Sequence, residues 1–364
     1  METKTTADTA THKMSTMDYV YKVSAGVSNA ILVCLGIGLL LQSLANFVHW
    51  TALYQIGAIA QVLLGPAFGV AIATMLNSNT LVTFSAMISS TIGANAVYFS
   101  QSATNGVTAT GHTLAQAAQS SVFTTGQPIS AVAAGLVAVL VGNYLTGKTP
   151  LDMMLVPLAA TFVGAVVGLG LAAVTTPALV WLSKFIATSM KVNPLMGSMA
   201  VSLAWALFLM TPASSAALAV AVMLDPVSSG AALIGTTAQF VGFTIMSFRQ
   251  NNLGANIAQG IITPKVQFPN LLVNPRLAIP PMVAAIVSAP VATMVFHFST
   301  SYKLAGLGLN SLIAPISLAS TNFNQFVVYL LTGVLMPAII SIVLYRVLVA
   351  AKWVESRQLQ LEVV

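Results

Sequence analysis

The chain has almost no charge. Only 5% of its 364 residues are Asp, Glu, Lys or Arg, where a soluble domain carries about 25%. Between Lys22 and Lys148 there is no charged residue at all. A soluble fold of this length needs far more polar surface. Set beside 57% hydrophobic residues, the scarcity predicts a polytopic membrane protein. Acids are rarer than bases: between Asp18 and Glu355 only Asp152 and Asp225 occur. The net charge of +6 does not imply a nucleic-acid partner. Lys4, Lys13, Lys22, Lys148, Lys184 and Lys191 are scattered, with no basic face and no helix-turn-helix pattern. Positive-inside bias accounts for them.

Cysteine is nearly absent too. Cys34 stands alone in the first apolar run, which excludes disulfides, a Cys-rich metal site and an exposed phosphocysteine. The four histidines, His12, His49, His112 and His297, have no metal-ligand spacing. There is no Walker motif, no Ser-His-Asp set and no helical His-Glu pattern. No metal, no cofactor and no catalytic residue is expected. His49-Trp50 and His297 close apolar runs and read as interfacial anchors.

What the chain does have is apolar runs. They read as Val23–Phe47, Ala52–Leu76, Leu81–Phe99, Ile129–Leu145, Met153–Leu182, Met196–Met210, Ser214–Leu224, Val227–Phe248, Ala278–Phe298 and Phe323–Val349. The expected fold is all-α integral membrane, with about ten transmembrane or re-entrant helical segments. Residues 23–350 form the membrane domain. Residues 1–22 and 351–364 are short tails. Lys4, Lys13 and Lys22 flank the first run, and Arg346, Lys352 and Arg357 the last, so both tails are expected in the cytoplasm of a plasma-membrane protein with an even number of crossings.

Three polar, Gly-rich connections interrupt this pattern: Gln101–Pro128, Arg249–Arg276 and Ser299–Asn322. Polar, broken backbone beside apolar spans is kept where it lines a cavity or sits in water. The first connection is uncharged, which suits backbone folded into a cavity, with His112 as its chemical candidate. The second gathers Arg249, Asn251, Asn252, Gln259, Gln267 and Asn270 and is the leading solute-binding stretch. Arg249 offers five donors in a fixed fork, and the amides offer neutral hydrogen bonds. Thr211-Pro212-Ala213-Ser214-Ser215 breaks a run, and its hydroxyls either bind a polyol or satisfy backbone freed by the proline. A weak repeat at an offset of 146 sets Gly65-Pro66-Ala67 against Thr211-Pro212-Ala213, the pattern of a transporter built from two related halves.

The two internal acids read as caps. Asp225-Pro226 fits an N-cap followed by the favoured first-position proline. Thr149-Pro150-Leu151-Asp152 fits a capping box with Asp in place of Glu. The alternative for Asp225 is a proton or cation site.

From Gly126-Gln127-Pro128 to about Ala319 the chain resembles the EIIC-like membrane family of the sugar phosphotransferase system, in the branch once labelled toxin regulators. Thr146-Gly147-Lys148-Thr149-Pro150-Leu151-Asp152, Asn193-Pro194-Leu195-Met196-Gly197 and Thr211-Pro212-Ala213-Ser214-Ser215 carry the resemblance. So do Ser247-Phe248-Arg249-Gln250-Asn251, Gln259-Gly260, Gln267-Phe268-Pro269-Asn270 and Asn274-Pro275-Arg276. It implies a permease for a sugar or sugar-like solute, commonly a homodimer, working beside IIA and IIB phosphoryl carriers. Nothing between Glu2 and Glu355 matches the glutamate with which better-known relatives contact sugar. The other reading is a membrane sensor that binds a similar solute without moving it.

Overall fold

A computed structural model describes residues 15–108 and 110–361 of the chain. Lys4, Lys13 and His12 lie outside the described residues, as do most of the expected N-terminal tail and the last three residues. The chain is mostly helical, and each of the ten apolar runs contains helix. Helix α1 (Thr16–Ala30) opens on a reciprocal capping box between Ser15 and Asp18. It continues through π-helical turns at Ile31–Ile37 into α2 (Gly38–Val48). Helices α3 (Thr51–Val62) and α4 (Leu64–Met75) form a pair bent by 55°. Helix α5 (Thr80–Gly93) follows an Asn79 cap.

The connection from Gln101 to Pro128 departs from expectation. Residues 101–123 are not folded into a cavity; only the end of the connection, at Thr124 and Gly126-Gln127-Pro128, lines one. Strand β1 (Val97–Phe99) pairs antiparallel with β4 (Ser121–Phe123), and β2 (Thr104–Val107) with β3 (Thr113–Gln116), making an exposed two-tier hairpin. The ladders satisfy the backbone within the arm, so no charge and no protein wall is needed.

Helices α6 (Pro128–Leu145), α7 (Asp152–Val192), α8 (Pro194–Met210) and α9 (Ser215–Val222) come next. At 41 residues and 1.5 Å per residue, α7 is about 60 Å long, twice the hydrocarbon thickness of a bilayer. Its start differs slightly from the expected capping box. The helix begins at Asp152, whose carboxylate accepts from the backbone N–H groups of Gly147 and Thr149 and from the Thr149 hydroxyl, closing the turn before it. Then follow α10 (Pro226–Ser247), α11 (Leu253–Ile257), α12 (Phe268–Val273) and α13 (Ile279–Pro290). Helices α14 (Ile313–Thr321), α15 (Phe323–Tyr329) and α16 (Met336–Ala350) complete the set. Among the described residues six helices are long and apolar enough to cross a membrane, or seven if the bent pair counts as one. The remaining three of the ten runs hold helices shorter than a full crossing, α5, α8 and α9 at 14, 17 and 8 residues.

Two lobes form the bundle. One core joins α1, α4, α5, α6 and the first half of α7 around Phe68 and Ile72. Here small residues replace bulk. A side chain on Gly168 would strike Ala134 and the backbone of Gly93, so α5, α6 and α7 touch along a seam only small residues permit. The other lobe packs α8, α10, α13 and α16, with Trp205, Phe240 and Phe243 inside. Outside, α7 exposes Phe162, Val174 and Trp181 by about two-thirds of their surface, the face a bilayer covers. After α16 the chain packs back against the second lobe, burying Val354 and Leu359. Tyr21 of α1 and Arg357, Gln358 and Gln360 line one cavity, so the two ends of the described chain meet at one end of the bundle.

Asp225 is an N-cap, as its sequence indicates. One carboxylate oxygen accepts from the backbone N–H groups of Val227 and Ser228 at 3.1 Å each, and the other from the Ser228 hydroxyl at 2.5 Å. Asp225 and Asn79, the caps of α10 and α5, fall at the 146-residue offset. After them the segments differ, with an exposed hairpin following α5 and a largely buried polar connection following α10. Because Asn caps about as well as Asp, Asp225→Asn should leave uptake unchanged. Its thermal stability in detergent should stay within about 1 kcal/mol of the parent. A folded Asp225→Asn protein that no longer transports would return the residue to an ion-coupling role.

Candidate functional site

The connection between α10 and α13 turns back into the protein and packs between the two lobes. Thr263-Pro264-Lys265 starts a short 3-10 turn, with the Thr263 hydroxyl accepting from the Lys265 backbone N–H. This holds the Lys265 stem in the interior, where the residue is only 4% exposed. Its carbonyl accepts from the Ser28 hydroxyl of α1 at 2.9 Å. Its Nζ donates to the carbonyls of Thr211 and, at 2.6 Å, Ala213. These carbonyls lie just past the end of α8, where the last C=O groups have no helical partner and Pro212 supplies no N–H. Lys265 thus caps α8 from 54 and 52 residues away, as a basic side chain does at a helix C-terminus. Sequence reading did not single out Lys265. Its one signal was being the only charge between Arg249 and Arg276.

The break after α8 meets a third interrupted segment. The Ser215 hydroxyl donates to the Gly306 carbonyl at 2.8 Å, and the Ser215 carbonyl accepts from Trp205 Nε1 at 3.1 Å. Further along that segment, Ser311 and Leu312 both have positive φ, 50° and 57°. Ser311 reaches the Gly36 carbonyl in the π-helical turns of the first span at 3.4 Å. Interrupted backbone from four parts of the chain therefore converges here.

Three of the residues expected to contact solute, Gln259, Gln267 and Asn270, form one hydrogen-bonded amide chain. Gln259 Nε2 donates to the Ser247 hydroxyl at 2.7 Å, Gln267 Nε2 to Gln259 Oε1 at 2.8 Å, and Asn270 Nδ2 to Gln267 Oε1 at 2.8 Å. Asn251 sits at its edge, with Nδ2 donating to Leu359 O at 3.0 Å. Gln259 and Gln267 are fully buried. Such amides fix the connection, since each unpaired one costs its desolvation. Asn252 caps α11 through the Ala255 N–H at 2.8 Å. Arg249 is exposed on the turn after α10. His112 is exposed near the tip of the hairpin, where its backbone N–H donates to the Thr108 hydroxyl at 3.0 Å. The structure brings neither Arg249 nor His112 into the convergence. Thr211 uses its hydroxyl on the Phe208 carbonyl at 2.9 Å.

Cavities flank the convergence. One of about 570 Å³ is lined by Ser28, Asn29, Asn252 and Asn270 and reaches Met75, just before α5. Another of about 520 Å³ is lined by Asn95, Gln127 and Ser214 at the other end of α5. Fourteen residues of α5 separate these ends by about 21 Å. Pro212 lines a further cavity beside α1 and α6, while Ala213 and Ser214 face the hairpin end. Adjacent residues of the break thus serve different cavities.

A family model described as phosphotransferase system, EIIC, matches residues 21–361, nearly the whole chain. The match includes the first hundred residues, where the sequence motifs did not reach. No curated protein matches the chain.

Proposed function

The chain belongs to the phosphotransferase-system EIIC family, and from that premise we propose that it carries a sugar or sugar-like polar solute through the bilayer by alternating access. The observation that supports this reading is the placement of two cavities, of about 570 and 520 Å³, toward opposite ends of α5 with interrupted segments between them. Both volumes lie in the range of small-molecule sites. Asn29, Asn252 and Asn270 offer neutral hydrogen bonds in the first, and Asn95, Gln127 and Ser214 in the second. The barrier between them is the Thr211–Ser215 break, held by Lys265 on one side and Gly306 on the other. Asn251, Gln259 and Gln267 keep the connection in place beside this path. Both termini face the cytoplasm, where separate IIA and IIB proteins would meet the end of the bundle that holds them. The working unit is a homodimer.

Reconstituted protein decides the matter. Proteoliposomes should accumulate at least one labelled sugar or polyol above protein-free vesicles. A requirement for added phosphoryl carriers would mark coupled transport. A sugar that raises the melting temperature but never enters the vesicles would make the protein a sensor. If no sugar or polyol binds or enters, the solute class is wrong.

A further inference from the structure

The residues after α16 are held by a row of side-chain amides. The Leu359 N–H donates to Gln250 Oε1 at 3.1 Å, and the Leu359 carbonyl accepts from Asn251 Nδ2 and Gln267 Nε2, both at 3.0 Å. The Leu361 N–H donates to Asn251 Oδ1 at 2.7 Å, and the Gln360 carbonyl accepts from Asn270 Nδ2 at 3.2 Å. Asn274 Nδ2 adds a bond to Gln358 Oε1 at 2.8 Å. Side-chain amides offer a peptide the donor and acceptor pair that a neighbouring strand would offer. The bonds go almost entirely to backbone, and the Leu359 side chain is the one fully buried anchor. Gln360 and Leu361 then form part of the wall of the 570 Å³ cavity.

We propose that this amide row is a peptide-binding groove whose ligand is the chain's own C-terminal strap, residues 355–361, and that the strap gates the cavity beside α1. The observation is the juxtaposition of a backbone-reading clamp, a short segment with one apolar anchor, and a cavity mouth that the segment helps to close. Such a segment opens by local unfolding while the bundle stays folded. The proposal does not depend on which solute, if any, is moved.

Cysteine labelling tests it in detergent, in a Cys34→Ser background. Ala255→Cys lines the cavity, and Thr110→Cys, exposed near the hairpin tip, is the control. Deleting residues 355–364 should speed maleimide labelling of Ala255→Cys several-fold and leave Thr110→Cys unchanged. A synthetic peptide of residues 355–364, added in excess, should slow it again. Asn251→Leu, which removes the clamp from the full-length chain, should reproduce the acceleration. Unchanged labelling after deletion overturns the gate. Acceleration that excess peptide leaves unslowed overturns the groove, as does an Asn251→Leu protein that labels like its parent.

Discussion

Lys265→Met should abolish solute uptake while the protein still inserts, folds and elutes as a single species. Methionine keeps most of the lysine stem but donates nothing. The carbonyls of Thr211 and Ala213 then lose their partner at a point where Pro212 already interrupts the helical ladder. Hydrogen bonds to charged groups are worth about 1.5–3 kcal/mol each, so the break loses the bonds that set its position between the cavities. Replacing a buried charge with an apolar side chain can leave overall stability unchanged, which makes uptake the sharper measurement. Wild-type uptake by Lys265→Met would remove the residue from the barrier.

Much of the scaffold was legible because it depends on local chemistry. Asp225 caps its helix within three residues of itself, and apolar runs become helices because a bilayer leaves few other ways to satisfy a backbone. The hairpin departs from the sequence expectation because its pairing is not local: Val97-Tyr98-Phe99, at the end of an apolar run, pairs with Ser121-Val122-Phe123 of the uncharged connection, both β-branched and aromatic enough to pair. Which of the ten runs cross and which are re-entrant stays open in the sequence, because hydropathy does not tell a 14-residue helix from half of a crossing. Lys265 and the strap could not be read at all. Their partners lie 52 and about 108 residues away in sequence, and nothing in Thr263-Pro264-Lys265 or Gln358-Leu359-Gln360 announces what it will touch. The amides after α10 were found as a group. What the sequence leaves open is whether they face solute or protein, and Asn251, Asn252, Gln259, Gln267 and Asn270 are all bonded to protein.

Gly306→Ala should be at least as damaging as the lysine change, by a different route. A Cβ at Gly306 would lie 2.4 Å from the Ala216 N and from the Ser215 carbonyl carbon and oxygen. These are backbone atoms at the start of α9, so no side-chain rotation relieves the contact. The two segments must separate, and the Ser215–Gly306 and Trp205–Ser215 hydrogen bonds stretch together. Overpacking a close-packed interior costs about 1–3 kcal/mol, and two stretched buried bonds add to that. The expected result is loss of uptake with a clear fall in melting temperature and unchanged helical content. Ser215→Ala is the comparison. It deletes the hydroxyl bond alone, worth about 1 kcal/mol, and should keep most of the uptake. If Gly306→Ala behaves like Ser215→Ala, the contact between these segments is loose enough to yield, and the barrier rests on Lys265 alone.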